Sequence, residues 1–413
     1  MAVRISSNQA FESSVTQMID LNAQVLRTQE QISTSKKNLS AADDPLNSTR
    51  ILQLQQSITL RDQYSTNLDT LDGALRSEES ALDSIATNIN RVRSLAVSAG
   101  DGTYSFDDRK SLALEIGQRV DELLSLTNTK DPNGEFIFAG FQGYTEPFVE
   151  LQDGQFVYQG DEGQRYVKAE EATNLARNNP GKSLFIDITS ANNTVTTSTD
   201  PTNSDSDTYI TAGTVVDQTA YDAFYPEDIV IEFNAETNVT PNGPNFTAYE
   251  KSTGEPILVA QSYVPGQEVQ IEGVAFKIVG SPNPGDNFSI DSSSKQDIFT
   301  TYKLLEDGLN TLTDTPADQD LLETLLHDTL INLDNALNSV INTQSDVGGR
   351  MNIADTSRET QEEVKLVSQE VLSDLQDLDY SAAVSKLSYQ TFVLEATQLS
   401  YTKVSGLSLF NTI

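Results

Sequence analysis

The chain contains no cysteine and no tryptophan, and a single histidine, His327. Disulfides, thiolate metal sites and a cysteine nucleophile are therefore excluded. One histidine cannot make an HExxH zinc motif. Cations are scarce: 26 Lys plus Arg stand against 61 Asp plus Glu, a formal charge of −35. Such a surface repels phosphates and anionic headgroups, so no nucleic acid and no membrane insertion are expected among its partners. No run of about 18 apolar residues is present to span a bilayer. The opening Met1-Ala2-Val3-Arg4-Ile5-Ser6-Ser7-Asn8-Gln9 has no apolar h-region. A cytosolic chain is expected, or one that leaves the cell without a cleaved signal peptide. The apolar share of 37% is low for a globular protein and suits an elongated molecule, or one whose apolar stripes await partner subunits.

What is present is organised in three zones. Residues 1–130 are rich in Leu, Ile, Gln, Ser and Asp with helical periodicity. Leu68, Leu71, Leu75, Glu78, Leu82, Ile85, Ile89, Val92 and Ala96 alternate in steps of three and four, and Glu78 is the one interruption. This is the seam of a long helix packed as in a coiled coil. Asp44-Pro45 marks its start, a capping carboxylate before a first-turn proline. If it runs to Ala99 before Gly100 it is roughly 80 Å long at 1.5 Å per residue. A further helix is expected after Ser105-Phe106-Asp107, carrying Leu112, Ile116, Val120 and Leu123. Upstream, Val15, Met18, Val25 and Ile32 share a thinner seam in which Asn22 and Gln29 take intervening places. A helix with so thin a stripe gains order only on packing.

The C-terminal zone mirrors the first. Thr315-Pro316-Ala317-Asp318 reads as a cap, a first-turn proline and an acidic third position. Leu330, Leu333, Leu337, Val340, Gln344, Val347 and Met351 form a second seam, weakened at Gly348-Gly349 by roughly 1 kcal/mol per glycine. Asp379 is placed to cap a last helix with a stripe of Val384, Leu387, Leu394 and Tyr401, expected to stop near Gly406.

The middle, about 135–295, holds most of the glycine and proline and short β-branched or aromatic runs. Val149–Gln152 and Gln155–Tyr158 flank Asp153-Gly154, a two-residue hairpin signal. Further strands are expected at Leu184–Ile188, Ile229–Phe233, Val269–Ile271 and Val274–Val279, and a loop or excursion over the polar stretch 190–208. The fold class is α+β: an elongated rod of long coiled-coil-like helices from both chain ends, with a central β-rich domain inserted. Five segments follow: an assembly segment 1–42, disordered or weakly helical in the monomer; a helical rod 43–134; the β-rich domain 135–300; a second helical rod 301–378; and an assembly helix 379–413.

Candidate catalytic groups have plain structural readings. His327 lies on a helix beside Leu326 and Leu330 with no constellation around it. Asn179-Pro180-Gly181-Lys182-Ser183 is similar to the end of a phosphate-binding loop, but Ala176 stands where that motif needs glycine. Asp131-Pro132-Asn133-Gly134-Glu135 lacks the alternating ligands of a calcium loop and reads as a turn. Asp43-Asp44 before Pro45 reads as helix capping. No catalytic, cofactor or metal site is assigned, and no enzyme is expected.

Ser33-Thr34-Ser35-Lys36-Lys37 followed by Ala41-Ala42-Asp43-Asp44-Pro45 resembles the N-terminal signature of the flagellins and hook-associated proteins. Arg4-Ile5-Ser6-Ser7-Asn8-Gln9, Glu79-Ser80-Ala81-Leu82 and Arg91-Val92-Arg93-Ser94-Leu95-Ala96 are similar to the same group. Asn128-Thr129-Lys130 with Gly134-Glu135-Phe136-Ile137-Phe138-Ala139-Gly140 resembles its hook–filament junction subset. So do Val347-Gly348-Gly349-Arg350-Met351-Asn352, Asp379-Tyr380 and Lys403-Val404-Ser405-Gly406-Leu407-Ser408-Leu409-Phe410. Gly280-Ser281-Pro282 and Gly285-Asp286-Asn287-Phe288 are similar to a β-turn segment of such proteins. The resemblance covers roughly 1–145 and 340–413, with one departure: Ser35 stands where the family usually has glycine.

The resemblance implies a self-assembling structural subunit of the flagellum, at the hook–filament junction outside the cell and cytoplasmic before export. It implies the flagellar type III route, with terminal segments that fold on incorporation. Its partners would be further copies of itself in a ring or short helical layer, the neighbouring hook-associated junction protein, the flagellin filament, and an export chaperone on the C-terminal helix. No cofactor is implied. Two sets of residues then divide the work. Leu68, Leu71, Leu75, Leu82, Ile85, Ile89, Val92, Leu330, Leu333, Leu337, Val340 and Val347 would bury within the subunit. Ile5, Phe11, Val15, Met18, Val25, Ile32, Val384, Leu387, Leu394, Tyr401, Leu407, Leu409 and Phe410 would serve assembly and export. The competing readings are flagellin itself, an extracellular coiled-coil adhesin, and an enzyme whose β domain acts on glycans through carboxylates.

Overall fold

The computed structural model describes residues 7–151, 155–204, 207–211, 213–240 and 242–410, without the side chains of residues 7–10 and 404–410. Its helices are α1 Ser7–Thr34, α2 Pro45–Ala99, α3 Phe106–Thr127, α4 Gln218–Phe224, α5 Ile298–Thr311, α6 Pro316–Gln376 and α7 Tyr380–Phe410. The caps explain the starts. The Asn47 amide donates to Asp44 Oδ1 at 3.0 Å, ahead of Pro45. Ser105 and Asp108 form a reciprocal capping box at α3. The Asp318 amide donates to Thr315 Oγ1 at 3.3 Å, and that of Ala382 to Asp379 Oδ1 at 3.1 Å. Gly348 and Gly349 sit inside α6 without ending it, and α7 continues past Gly406, where the sequence pattern predicts a stop. One interior glycine costs only about 1 kcal/mol, and no proline follows Gly406 to break the ladder.

The strands are β1 Phe148–Glu150, β2 Phe156–Tyr158, β3 Tyr166–Lys168, β4 Asn174–Ala176, β5 Thr189–Thr199, β6 Tyr209–Ile210, β7 Thr214–Val215, β8 Ile229–Phe233, β9 Asn245–Glu250, β10 Pro256–Ser262, β11 Glu268–Ile271, β12 Val274–Val279 and β13 Asn287–Lys295. β1 and β2 form the expected antiparallel hairpin; its turn residues Asp153 and Gly154 lie outside the described residues. A five-stranded antiparallel sheet runs β10-β9-β8-β13-β5, and a second runs β11-β12-β6 with β7 also on β12.

Two expectations for the middle are overturned. Residues 190–208 are not all loop, because β5 pairs along β13 from Thr189↔Lys295 to Thr199↔Phe288. Its threonines and Val195 are β-branched and favour extended backbone. Thr197 Oγ1 also donates to the Thr211 carbonyl at 2.9 Å. Leu184–Ile188 is not a strand, because Lys182–Ile186 forms one wide helical turn. A strand would send neighbours Leu184 and Phe185 to opposite faces. Both are buried here, with Phe185 edge-on to Phe138 at 5.2 Å.

The chain divides into two compact units, Met1–Asn67 with Thr356–Ile413, and Leu68–Asp355. The second unit holds two apolar cores. One joins α2, α3, α5 and α6 with Phe138, Phe148, Leu175, Leu184 and Phe185. Residues 137–188, β-rich by composition, thus share the helical core. The other lies in the sheets, around Tyr221, Ile231, Phe246, Phe276 and Phe288.

Candidate assembly surface

In the larger unit Leu68, Leu71, Leu75, Leu82, Ile85, Ile89 and Val92 of α2 are fully buried, as are Leu333, Val340 and Val347 of α6. Leu330 and Leu337 are only partly buried and pack on the shoulder of that core. The α6 stripe runs instead through Leu322, Leu326, Thr329, Leu333, Ala336, Val340, Val347 and Ala354. Small residues and threonine among its places hide that register, since an apolar count favours the neighbouring leucines.

The seams carry buried polar groups that periodicity does not interpret. Tyr302 of α5, fully buried, donates its hydroxyl to Asn88 Oδ1 at 3.0 Å. Asn88 Nδ2 donates in turn to the Arg119 carbonyl at 3.1 Å and Glu122 Oε2 at 2.9 Å. Burial, with the Glu122 charge beside it, holds the Tyr302 phenol well above its ordinary range. Glu78, the interruption in the α2 seam, is fully buried. Its Oε1 accepts from Asn179 Nδ2 at 2.8 Å and from the Asn179 amide at 3.2 Å. Arg350 donates to Asn179 Oδ1 at 2.8 Å and to the Ala176 carbonyl at 3.2 Å. Desolvation pushes the Glu78 carboxyl up to about 7, against the opposing pull of Asn179 and Arg350.

The motif-like segments are tied up locally. The Gly181 amide, which a phosphate loop would offer to a ligand, donates to the Phe138 carbonyl at 2.8 Å, and Lys182 pairs with Glu162. Asp131 accepts from the Asn133 and Glu135 amides at 2.8 and 3.0 Å and pairs with Arg177 at 2.6 Å. His327 is exposed on α6. Asp43 accepts from the Ser40 and Leu39 amides, each at 3.1 Å, and pairs with Arg27 at 2.7 Å; these bonds, that to Ser40 foremost, hold its carboxyl below the usual range.

The smaller unit is built differently. It takes α1, α7, the first turns of α2 and the last turns of α6. Its described buried residues are Val25, Thr28, Tyr64, Ser357, Gln361, Ser368, Ala383 and Gln390, mostly small or polar. Thr28 Oγ1 donates to Gln390 Oε1 at 2.8 Å across α1 and α7, and the Phe11 and Tyr401 rings meet edge-on at 5.3 Å. Met18, Ile32, Leu387 and Leu394 are half-buried; Val15 and Val384 are exposed. Ile5 lies outside the described residues, as do the side chains of Leu407, Leu409 and Phe410. Ile19, Leu26, Tyr389, Phe392 and Leu399 stand between 58% and 70% exposed. Leu46, Leu52, Leu366 and Val367 are exposed too. Large apolar side chains face water here while polar ones fill the interior, the reverse of a self-sufficient core. At the helix connectors, Ser35 adopts φ +58 and accepts from the Leu378 amide at 3.1 Å. Its Oγ lies 2.6 Å from the Tyr380 hydroxyl. This is the position where the resemblance leads one to expect glycine, and the conformation is the one that favours glycine.

The profile of the bacterial flagellin N-terminal helical region matches residues 5–143. Flagellar hook-associated protein 3 of Escherichia coli (strain K12) is 24% identical over 409 residues, 99% of both chains. The chain is thus similar to hook-associated protein 3 along almost its whole length. The protein of that name from Salmonella typhimurium is 31% identical over 188 residues, 46% of this chain and 58% of that one. The crystal structure of hook-associated protein 3 from Legionella pneumophila superposes with a TM-score of 0.54 at 26% identity, covering 79% of this chain and 98% of that one. By name these relatives are flagellar hook-associated proteins, and the fold is flagellin-like, with helices at both ends of the chain and a β-rich region between them in sequence.

Proposed function

We propose that this chain is a structural subunit of the bacterial flagellum, placed at the junction between hook and filament, and that it works by assembly without catalysis. The observation that carries the reading is the smaller unit, where both chain ends meet around a thin polar interior and leave Ile19, Leu26, Tyr389, Phe392 and Leu399 in water. Apolar area of this kind is stabilised only when neighbours cover it, at roughly 25 cal/mol per Å². The neighbours are copies of the same chain in a ring or short layer, the adjoining hook-associated junction protein on one side and flagellin on the other. Before assembly the chain is cytoplasmic; α7 is held by an export chaperone, and the subunit leaves by the flagellar type III route. The terminal residues from Phe11 to Ile32 and from Val384 to Phe410 serve assembly, and the α2 and α6 seams hold each subunit together.

Electron microscopy of cells lacking the gene, with assay of the medium, tests this. Hooks without filaments and flagellin shed into the medium are expected. Filaments of normal length would sink the junction role, and extended homopolymers grown from the purified chain would assign it to the filament.

A further inference from the structure

Glu78 has no role in the assembly reading, yet it sits fully buried in the middle of the longest apolar seam. Its two oxygens are treated unequally. Oε1 accepts two bonds from Asn179, and Oε2 has no partner. An ionised carboxylate takes about four hydrogen bonds when it is well satisfied, and this one accepts two, so the closed pocket supports the charge less well than water does. Arg350 supports this by its aim. Its guanidinium donates to Asn179 Oδ1 and the Ala176 carbonyl, both neutral acceptors on the segment that covers Glu78.

The other charged groups around it are engaged or turned away. Arg177, two residues before Asn179, pairs with Asp131 and Glu135, and Lys182 pairs with Glu162. On α2 the residues one turn away are Ala74, Leu75, Ala81 and Leu82, none charged. Glu79 is exposed, and Arg76 bonds Asp72 at 2.9 Å. On α6 Asp346 and Asp355 are exposed. Arg350 is the charge that acts on Glu78.

We propose that Glu78 is a proton-operated latch, which holds the segment 174–181 against α2 and α6 more tightly when the medium turns mildly acidic. The closed segment keeps the acid protonated up to about pH 7. Once the segment lifts and water reaches the carboxyl, the group returns to its ordinary value of 4.5. Between those values the closed form holds a proton that the open form does not. Opening therefore grows as pH rises from about 4.5 and levels off above about 7.

Hydrogen exchange of the full chain, followed by mass spectrometry and corrected for intrinsic rate, reads this opening on peptides spanning 174–181. The linkage gives an opening population about twentyfold larger at pH 7.5 than at pH 5.5 in the native chain. Glu78→Gln removes that slope and leaves a flat profile, and Glu79→Gln, an exposed neighbour, keeps it. If Glu78→Gln does not fold, Glu78→Met keeps the seam and cannot titrate, and its profile must also be flat. A flat profile in the native chain, or an unchanged slope in either Glu78 variant, overturns the latch.

Discussion

The substitution Tyr302→Phe removes one oxygen from the helical core and nothing else. The ring stays, so no cavity opens, and the cost comes from the hydrogen bond alone. Tyr302 is fully buried, and its hydroxyl is the donor to Asn88 Oδ1 at 3.0 Å. Asn88 is itself almost wholly buried, so in the variant its oxygen is left without a donor and without water. A buried acceptor stranded in this way costs about 1–3 kcal/mol. For a unit of this size, each kcal/mol lowers the melting temperature by about 2–4 °C. Thermal unfolding followed by circular dichroism should therefore show a fall of several degrees. Asn88→Ala removes the acceptor together with the bonds to Arg119 and Glu122, so it costs more on its own. In the double variant the stranded groups are gone together, and a coupling of about 0.5–3 kcal/mol between the two sites is expected. If Tyr302→Phe melts within a degree of the native chain and the cycle shows no coupling, the network joining α2, α3 and α5 has been misread. Asn88→Leu combined with Tyr302→Phe supplies the limiting case: an apolar pair of similar bulk should recover much of the loss.

Other outcomes follow from the same geometry. Ser35→Gly relieves a left-handed conformation worth about 1–2 kcal/mol but loses the exposed contact with Tyr380. In a Tyr380→Phe background that contact is already gone, so the glycine should there stabilise the smaller unit in urea titrations. Destabilisation in that background would refute the strain argument. Gly140→Ala places a Cβ 2.3 Å from the Asp161 carbonyl oxygen at φ +71. A loss of about 1–3 kcal/mol or more in unfolding free energy, read from denaturant titration, is expected. Thr28→Val leaves Gln390 Oε1 buried without its donor, and trypsin should then cut at Lys386 faster than in the native chain while sites in the larger unit keep their rates.

How far the sequence speaks depends on how strongly one physical preference dominates a segment. The α2 seam is readable because leucine and isoleucine recur there with helical spacing, and the caps at Asp44, Thr315 and Asp379 are readable because each has a fixed local geometry. The α6 seam is only half readable. Its stripe uses Thr329 and Ala336, and the eye is drawn to Leu330 and Leu337 beside them. The strand β5 reads as a loop because asparagine, serine and threonine also dominate turns, and what makes it a strand is a partner nearly a hundred residues away in β13. Leu184–Ile188 shows the opposite failure, an apolar run whose neighbours are buried on one side by Phe138 and Phe148. The polar contacts of Glu78 with Asn179, and of Asn88 with Tyr302, rest on separations of 101 and 214 residues. No local pattern announces such pairs. The interruption at Glu78 is visible in the sequence, but its partner is not.

The smaller unit draws on the first and last stretches of the chain alone, and this sets an order of events. Its helix α1 emerges ahead of the larger unit, from the ribosome or from any channel the chain threads, and α7 emerges after it. The loop that must close to bring them together is the whole of residues 68–355. Closure entropy grows only slowly with length for a flexible loop, but contacts this distant form late. The larger unit, whose partners lie within that loop, is free to fold first and remove most of the slack. Until then α1 has no helix to pack against, and its thin stripe gives it little structure of its own. Either end is thus left as an unpaired strip of side chains for as long as the other is missing. Any partner that arrives in that interval competes with the chain's own opposite end.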